Sequence, residues 1–208
     1  TSGQLLSVNI HSLDMKKNEW STTKEEYEYN SSNQATTLTT YQWNATTSLW
    51  VALTKEAMEY NPDGCLNKTT SYSHNDPATD WIPANKTETV YNTNNLKTES
   101  FTYAWDTTSQ AWLNVSKDTV QYDSNGNQLQ MVLYAWAATS STWEPTNRNE
   151  IVYDANNDPV TQMDYTYNDN EWDTTARYEF FNNASFSRND LLLPYFWADY
   201  PIFIHMLT

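Results

Sequence analysis

The sequence predicts an all-β fold: an antiparallel β-meander of about six two-strand repeats of 31 residues, a coiled or β-solenoid-like sheet, ending in an apolar C-terminal tail. Three observations predict it. Trp20, Trp50, Trp81, Trp112, Trp143 and Trp172 are spaced 30, 31, 31, 31 and 29 residues apart, and a fixed period of this length marks a repeat architecture. Tyr29, Tyr60, Tyr91, Tyr122 and Tyr153 keep the same beat, each followed by Asn or Asp. Stretches such as Leu133-Tyr134-Ala135-Trp136 alternate with period two, the strand signature, while Thr, Asn, Ser and Tyr fill the places where a helix favours Ala, Leu and Lys.

Composition bounds the function. The 208 residues carry 26 acidic and 11 basic side chains, a formal charge of −15. Nucleic acid and anionic membrane surfaces would repel such a chain, so neither is expected as a partner. No run approaches the length of apolar sequence that spans a bilayer. Cys65 is alone, which excludes an intrachain disulfide framework. Ten Trp and 15 Tyr argue for a folded chain despite its polarity. The start at Thr1-Ser2-Gly3 reads as a processed chain or an excised segment.

Taken in order, the units are 1–30, 31–61, 62–92, 93–123, 124–154 and 155–182, so that the array covers 1–182 and the tail 183–208. A third column holds Tyr41, Tyr72, Tyr103, Tyr134 and Tyr165, with His11 in the first unit. Two residues later stand Trp43, Trp105 and Trp136, replaced elsewhere by Leu13, His74 and Tyr167. Each unit reads as two strands of roughly eight to eleven residues. A polar loop, as in Trp105-Asp106-Thr-Thr-Ser-Gln-Ala-Trp112, joins them at the Trp end. A tight turn, as in Asn61-Pro-Asp-Gly64 or Asp123-Ser-Asn-Gly-Asn127, follows the Tyr column, with Gly and Asn supplying positive φ. Twelve strands at about 4.8 Å would stack to about 55–60 Å, and so wide an open sheet should twist and coil. The aromatic columns read either as a core of stacked rows or, at Trp105, Trp112, Trp136 and Trp143, as an exposed stripe for sugar rings.

The tail holds Leu191, Leu192, Leu193, Tyr195, Phe196, Trp197, Ile202, Phe203 and Ile204, and Pro194 and Pro201 exclude a regular helix. Two readings stand: a cap over the last strand edge, or an assembly segment donated to the first strand, Leu5 to Ile10, of another molecule.

Catalytic constellations are missing. His11, His74 and His205 have no acid or Cys at catalytic spacing, no Gly-rich phosphate loop or nucleophile elbow occurs, and the carboxylates do not pair across a cleft as glycoside hydrolysis needs. No enzyme and no cofactor are expected. Asp123, Asn125 and Asn127, and Asp154, Asn156 and Asp158, place oxygens at alternate positions. They read as turn formers or as weak calcium ligands. Asn-type sequons are no commoner than composition dictates. Thr107, Thr119 and Thr174, each after Asp, match a bacterial O-glycosylation pattern.

The string Val120-Gln-Tyr122-Asp123-Ser-Asn-Gly126-Asn127 resembles the YD or RHS-type repeat. Its alternation with Tyr103-Ala-Trp105-Asp106 and Trp112 is similar to long repeat proteins secreted by Bacteroidetes-type bacteria. Asn189-Asp190-Leu191-Leu192-Leu193-Pro194 resembles a segment recurring at the end of such arrays. The resemblance implies type IX secretion and a cell-surface or extracellular location. Turn glycines survive only at Gly64 and Gly126, His74 replaces a Trp, and no sorting domain is visible. The expectation is a non-enzymatic extracellular structural repeat protein, a subunit of a surface filament, adhesin or matrix fibre that assembles with itself through sheet edges and tail. The alternative is a carbohydrate-binding module that takes surface polysaccharide.

Overall fold

The computed structural model describes residues 4–16, 19–74 and 80–181. Among them every regular element is a strand: β1 (Ser7–Asp14), β2 (Glu19–Tyr29), β3 (Ala35–Asn44), β4 (Leu49–Tyr60), β5 (Leu66–His74), β6 (Trp81–Tyr91), β7 (Lys97–Asp106), β8 (Ala111–Tyr122), β9 (Gln128–Ala137), β10 (Thr142–Tyr153), β11 (Pro159–Asn168) and β12 (Glu171–Glu179). They lie in chain order in one open antiparallel sheet, with β1 and β12 at its edges. The fold is all-β, as the sequence predicts. The apolar segment from Leu191 to Ile204, and with it the choice between cap and donated strand, lies outside the described residues. By contacts the chain divides into two compact units, Thr1–Asn95 with Ser100–Val115, and Leu96–Glu99 with Ser116–Thr208.

The register explains why the period is not constant. In β4, β6, β10 and β12 one residue three places after the Trp stands opposite no partner: Leu53, Ala84, Thr146 and Thr175. Such a bulge inserts one residue and adds local twist. β2 pairs with β1 in unbroken register, so Trp20 lies four residues before Lys24 where Trp50 lies five before Lys55. The missing bulge residue is the shortfall in the first spacing. The last spacing is shorter by two because the rung Tyr167–Trp172 closes over a loop two residues shorter than the rung Trp136–Trp143. A second set of shifts, at Thr36, Asn67, Leu129 and Val160, follows the Tyr turns.

Those turns share one chemistry. The side-chain Oδ1 of Asn30 accepts from the backbone N–H of Ser32 and Gln34, and Asp123 and Asp154 do the same for residues two and four ahead. Asn33, Gly64, Asn95, Gly126 and Asn157 take the left-handed position at φ between 59° and 86°. Asn tolerates that region where most side chains do not, which is how three of these turns close without glycine.

Few side chains are removed from water. Val120, Val132 and Ile151 are the buried apolar residues among those described, with Pro159 fully buried. Most strand positions are half-buried. The expected aromatic core is therefore a half-covered surface, because no second layer packs on this sheet among the described residues. Cohesion has to come from ladder hydrogen bonds and cross-strand side-chain pairs.

Candidate functional site

Face parity places the side chains. Lys55 pairs across β5 with Tyr72, and Lys24 pairs across β3 with Tyr41. Tyr60 lies an odd number of residues after Lys55 on the same unbulged stretch of strand, so it points to the opposite face. The two aromatic columns thus face opposite ways, and neither face is simply aromatic or simply polar.

On one face a column of cations runs through the aromatics: Lys24, Lys55, Lys86, Lys117, Arg148 and Arg177, six of the 11 basic residues in the chain. Within the first unit, Lys24 Nζ stands 4.4 Å from the Tyr41 ring centroid and 5.1 Å from that of Trp50. Lys55 repeats this on Tyr72 and Trp81, and Lys86 on Tyr103 and Trp112. Within the second unit, Lys117 lies over Tyr134, and Arg148 over Tyr165 and Trp172. Lys24, Lys55, Lys86 and Arg148 each span three strands, the aliphatic stem covering apolar surface while the head meets the ring faces. A carboxylate completes the set: Lys24–Glu26 at 2.7 Å, Lys86–Glu88 at 2.8 Å, Lys117–Glu99 at 3.2 Å and Arg148–Glu150 at 3.4 Å. The hydrogen bonds donated by Lys24 and Lys86 hold the Glu26 and Glu88 carboxyls below the ordinary range. Burial pushes the Tyr41 and Tyr103 phenols up.

The Trp ends are rungs of two rings meeting edge to face, with centroids 4.9–5.2 Å apart: Trp43–Trp50, His74–Trp81, Trp105–Trp112, Trp136–Trp143 and Tyr167–Trp172. His74 fills a tryptophan's place in a rung and Tyr167 fills another. Trp105, Trp112, Trp136 and Trp143 are all half-buried and all engaged with a neighbouring ring. Trp20 differs: it pairs across β1 with Leu13 and is 69% exposed.

On the other face the Tyr column forms a latch. The hydroxyls of Tyr29, Tyr60, Tyr91, Tyr122 and Tyr153 donate to the carbonyls of Leu5, Ala35, Leu66, Lys97 and Gln128 at 2.8–3.1 Å. Neighbouring turns are also stitched, Gln34 Nε2 to the Gly64 carbonyl, and Asn125 and Asn127 Nδ2 to Asn157 Oδ1.

The proposed calcium oxygens serve the turns. Asp123 accepts through Oδ1 from two backbone N–H groups and through Oδ2 from Asn127 Nδ2, which holds its carboxyl low. Asp154 accepts from the N–H of Asn156 and Asp158. No group of three or more His, Cys, Asp or Glu able to hold a metal occurs among the described residues. Thr107 and Thr174 are exposed, the first in a Trp-end loop and the second on β12, whereas Thr119 is half-buried in β8. A depression of about 340 Å³ in the second unit is lined by Met131, Leu133, Asn147, Arg148, Asp164 and Tyr165 among others, with no nucleophile and base facing each other.

An aromatic register by itself does not reveal the cation column, although the same 31-residue beat in Lys24, Lys55, Lys86, Lys117 and Arg148 carries it. The latch was equally latent in the preference for Tyr over Phe.

No protein-family profile matches this chain, and no curated protein matches it. Among solved structures it is similar to a protein of unknown function from Bacteroides fragilis, at 20% identity and TM-score 0.52, over 61% of this chain and 91% of that one. It is also similar to DUF3836 family proteins from Bacteroides vulgatus, at 17% identity and TM-score 0.40 over 45% of this chain and 90% of that one, and from Parabacteroides distasonis, at 17% and 0.36 over 43% and 79%. The first likeness bears on the fold alone.

Proposed function

We propose that this chain is a non-enzymatic, extracellular structural repeat protein. In this reading residues 1–182 are a six-unit array of two-strand repeats, residues 183–208 an apolar assembly segment, and the whole a subunit of a surface filament, adhesin or matrix fibre that joins head to tail. The observation that supports it best is the recurrence of one set of contacts, cation on Tyr and Trp, Tyr latch and Asx turn, in a sheet whose edge strands have no outer neighbour among the described residues. The repeated contacts hold strand to strand, and an open edge is a template for another strand. Secretion by the type IX route and a cell-surface location follow from the YD/RHS-like resemblance. Electron microscopy of native material, with mass and glycan content measured on the same sample, tests the proposal: regular filaments support it, and dispersed single chains at every concentration overturn it.

One observation favours polysaccharide binding as a second reading: the half-buried ring pairs Trp105–Trp112 and Trp136–Trp143 stand beside exposed polar loops. It requires Trp emission to shift on titration with a polysaccharide and the shift to vanish in Trp105→Ala. Unchanged emission across a polysaccharide panel eliminates it.

A further inference from the structure

The cation column has a direction. Lys24 on β2 reaches Tyr41 on β3 and Trp50 on β4, and Arg148 on β10 reaches Tyr165 on β11 and Trp172 on β12. Each contact runs from an even strand to rings on the next two strands. At the two edges the pattern is left half-finished in complementary ways. Arg177 on β12 is the last cation, and no ring of the described residues lies over it. Its side chain is 60% exposed, where those of Lys24, Lys86, Lys117 and Arg148 are 14–21% exposed. At the other edge His11 on β1 and Trp20 on β2 occupy the two ring positions, and none of the described residues before His11 is a Lys or Arg. Trp20 is 69% exposed, whereas Trp50, Trp81, Trp112, Trp143 and Trp172 are half-buried. The His11 ring is held by Thr22 Oγ1 at 2.9 Å from Nδ1, within its own pair of strands.

We infer that the partner of this sheet is a second copy of the same chain, whose β1 pairs antiparallel with the outer edge of β12 so that Arg177 of one copy stacks on His11 and Trp20 of the next. The two edge strands match in length, eight residues against nine. The junction repeats the geometry of every interior step, an even strand carrying a cation beside an odd strand carrying a ring, so that it needs no new kind of contact. It is heterologous, each copy offering a different edge, so the contact propagates rather than closing on a dimer. The inference rests on the head-to-tail reading above and specifies the residues of the joint.

Sedimentation velocity of the full chain over a concentration series tests it, with far-UV circular dichroism on every variant. The wild-type chain is expected to associate, and Arg177→Gln and Trp20→Ala each to lower the association constant about tenfold, the worth of a desolvated cation–ring contact. Arg177→Lys, which restores the residue type found at Lys24, should associate like wild type. A one-to-one mixture of Arg177→Gln and Trp20→Ala should favour a heterodimer over longer chains by about tenfold, because one of its junctions is intact and every further junction is weakened. This mixing readout is independent of any small change in stability. If wild type associates and both variants associate equally well, this joint is wrong while the head-to-tail reading stands through another contact, the apolar segment first. If wild type stays a single chain throughout, both are overturned.

Discussion

At Tyr122 one side chain spans two jobs: its ring is packed on the face opposite the cations and its hydroxyl reaches the Lys97 carbonyl at 2.8 Å. Tyr122→Phe keeps the ring and removes the latch, and should cost about 1 kcal/mol in thermal unfolding, the usual worth of one such bond. Burial also pushes the Tyr91, Tyr122 and Tyr153 phenols above their ordinary value. A phenol whose folded pKa exceeds its unfolded one stabilises the fold below about pH 10 and ceases to do so as pH rises through the folded value. Phenolate absorbance during alkaline titration should therefore appear late and together with unfolding. Titration at the ordinary value with the sheet intact would contradict this. Backbone conformation gives a second residue-scale test. Gly126 sits at φ 86°, and an added Cβ would meet nothing nearer than Leu96 Cδ1 at 3.5 Å, so Gly126→Ala pays only for the left-handed backbone, about 1–2 kcal/mol. Asn95→Gly, at the equivalent position, should be neutral or slightly stabilising by the same measure.

At the scale of an element, the bulge is what keeps the cation on the aromatic face. Between Trp81 and Lys86 the extra residue Ala84 lets both side chains sit on one face although an odd number of positions separates them. Deleting Ala84 leaves four positions between Trp81 and Lys86, the spacing of Trp20 and Lys24 in unbulged β2, so both side chains stay on one face under strict alternation. The deletion should therefore cost less than Lys86→Met, which keeps the stem, loses the charge and should cost about 0.5–2 kcal/mol. A lower melting temperature for the deletion than for Lys86→Met would show that the bulge does more than preserve face parity. The sequence displayed the consequence of these bulges, in the spacings of 30 and 31 residues, without displaying their cause. Trp20 to Lys24 is one residue shorter than Trp50 to Lys55 because β2 lacks a bulge, a fact about pairing that no single strand contains. The strand-and-turn alternation was legible because Asn and Gly occur where positive φ is needed. The sharing of both faces between aromatics and charges was not, because each bulge resets the parity on which any assignment of faces depends.

At the scale of the whole molecule the chain carries a formal charge of −15, and its carboxylates matter in a definite pH window. Glu26, Glu88, Asp106 and Asp123 are all held below their ordinary values, the first two by Lys24 and Lys86, Asp106 by the Ser109 hydroxyl and Asp123 by Asn127. A carboxylate depressed in the fold stabilises it above the unfolded pKa, near pH 4, and that contribution is lost as pH falls further through the folded value. Denaturant midpoints should hold between about pH 5 and 8 and decline below about pH 4. A midpoint that rises on acidification would mean that relief of the net negative charge outweighs the loss of these bonds.

The sequence by itself determined that this protein is made of antiparallel strands and where they turn, because a period-two pattern, aromatic columns on a fixed beat and Asx turns are local properties of the chain. It also held the cation column, unread, at the same spacing. What only the tertiary structure decided is which columns share a face and what each side chain touches there. Lys24 meets Tyr41 and Trp50 only once two turns and a bulge have brought three strands into register. Contacts across strands depend on pairing, and pairing is a property of the folded sheet.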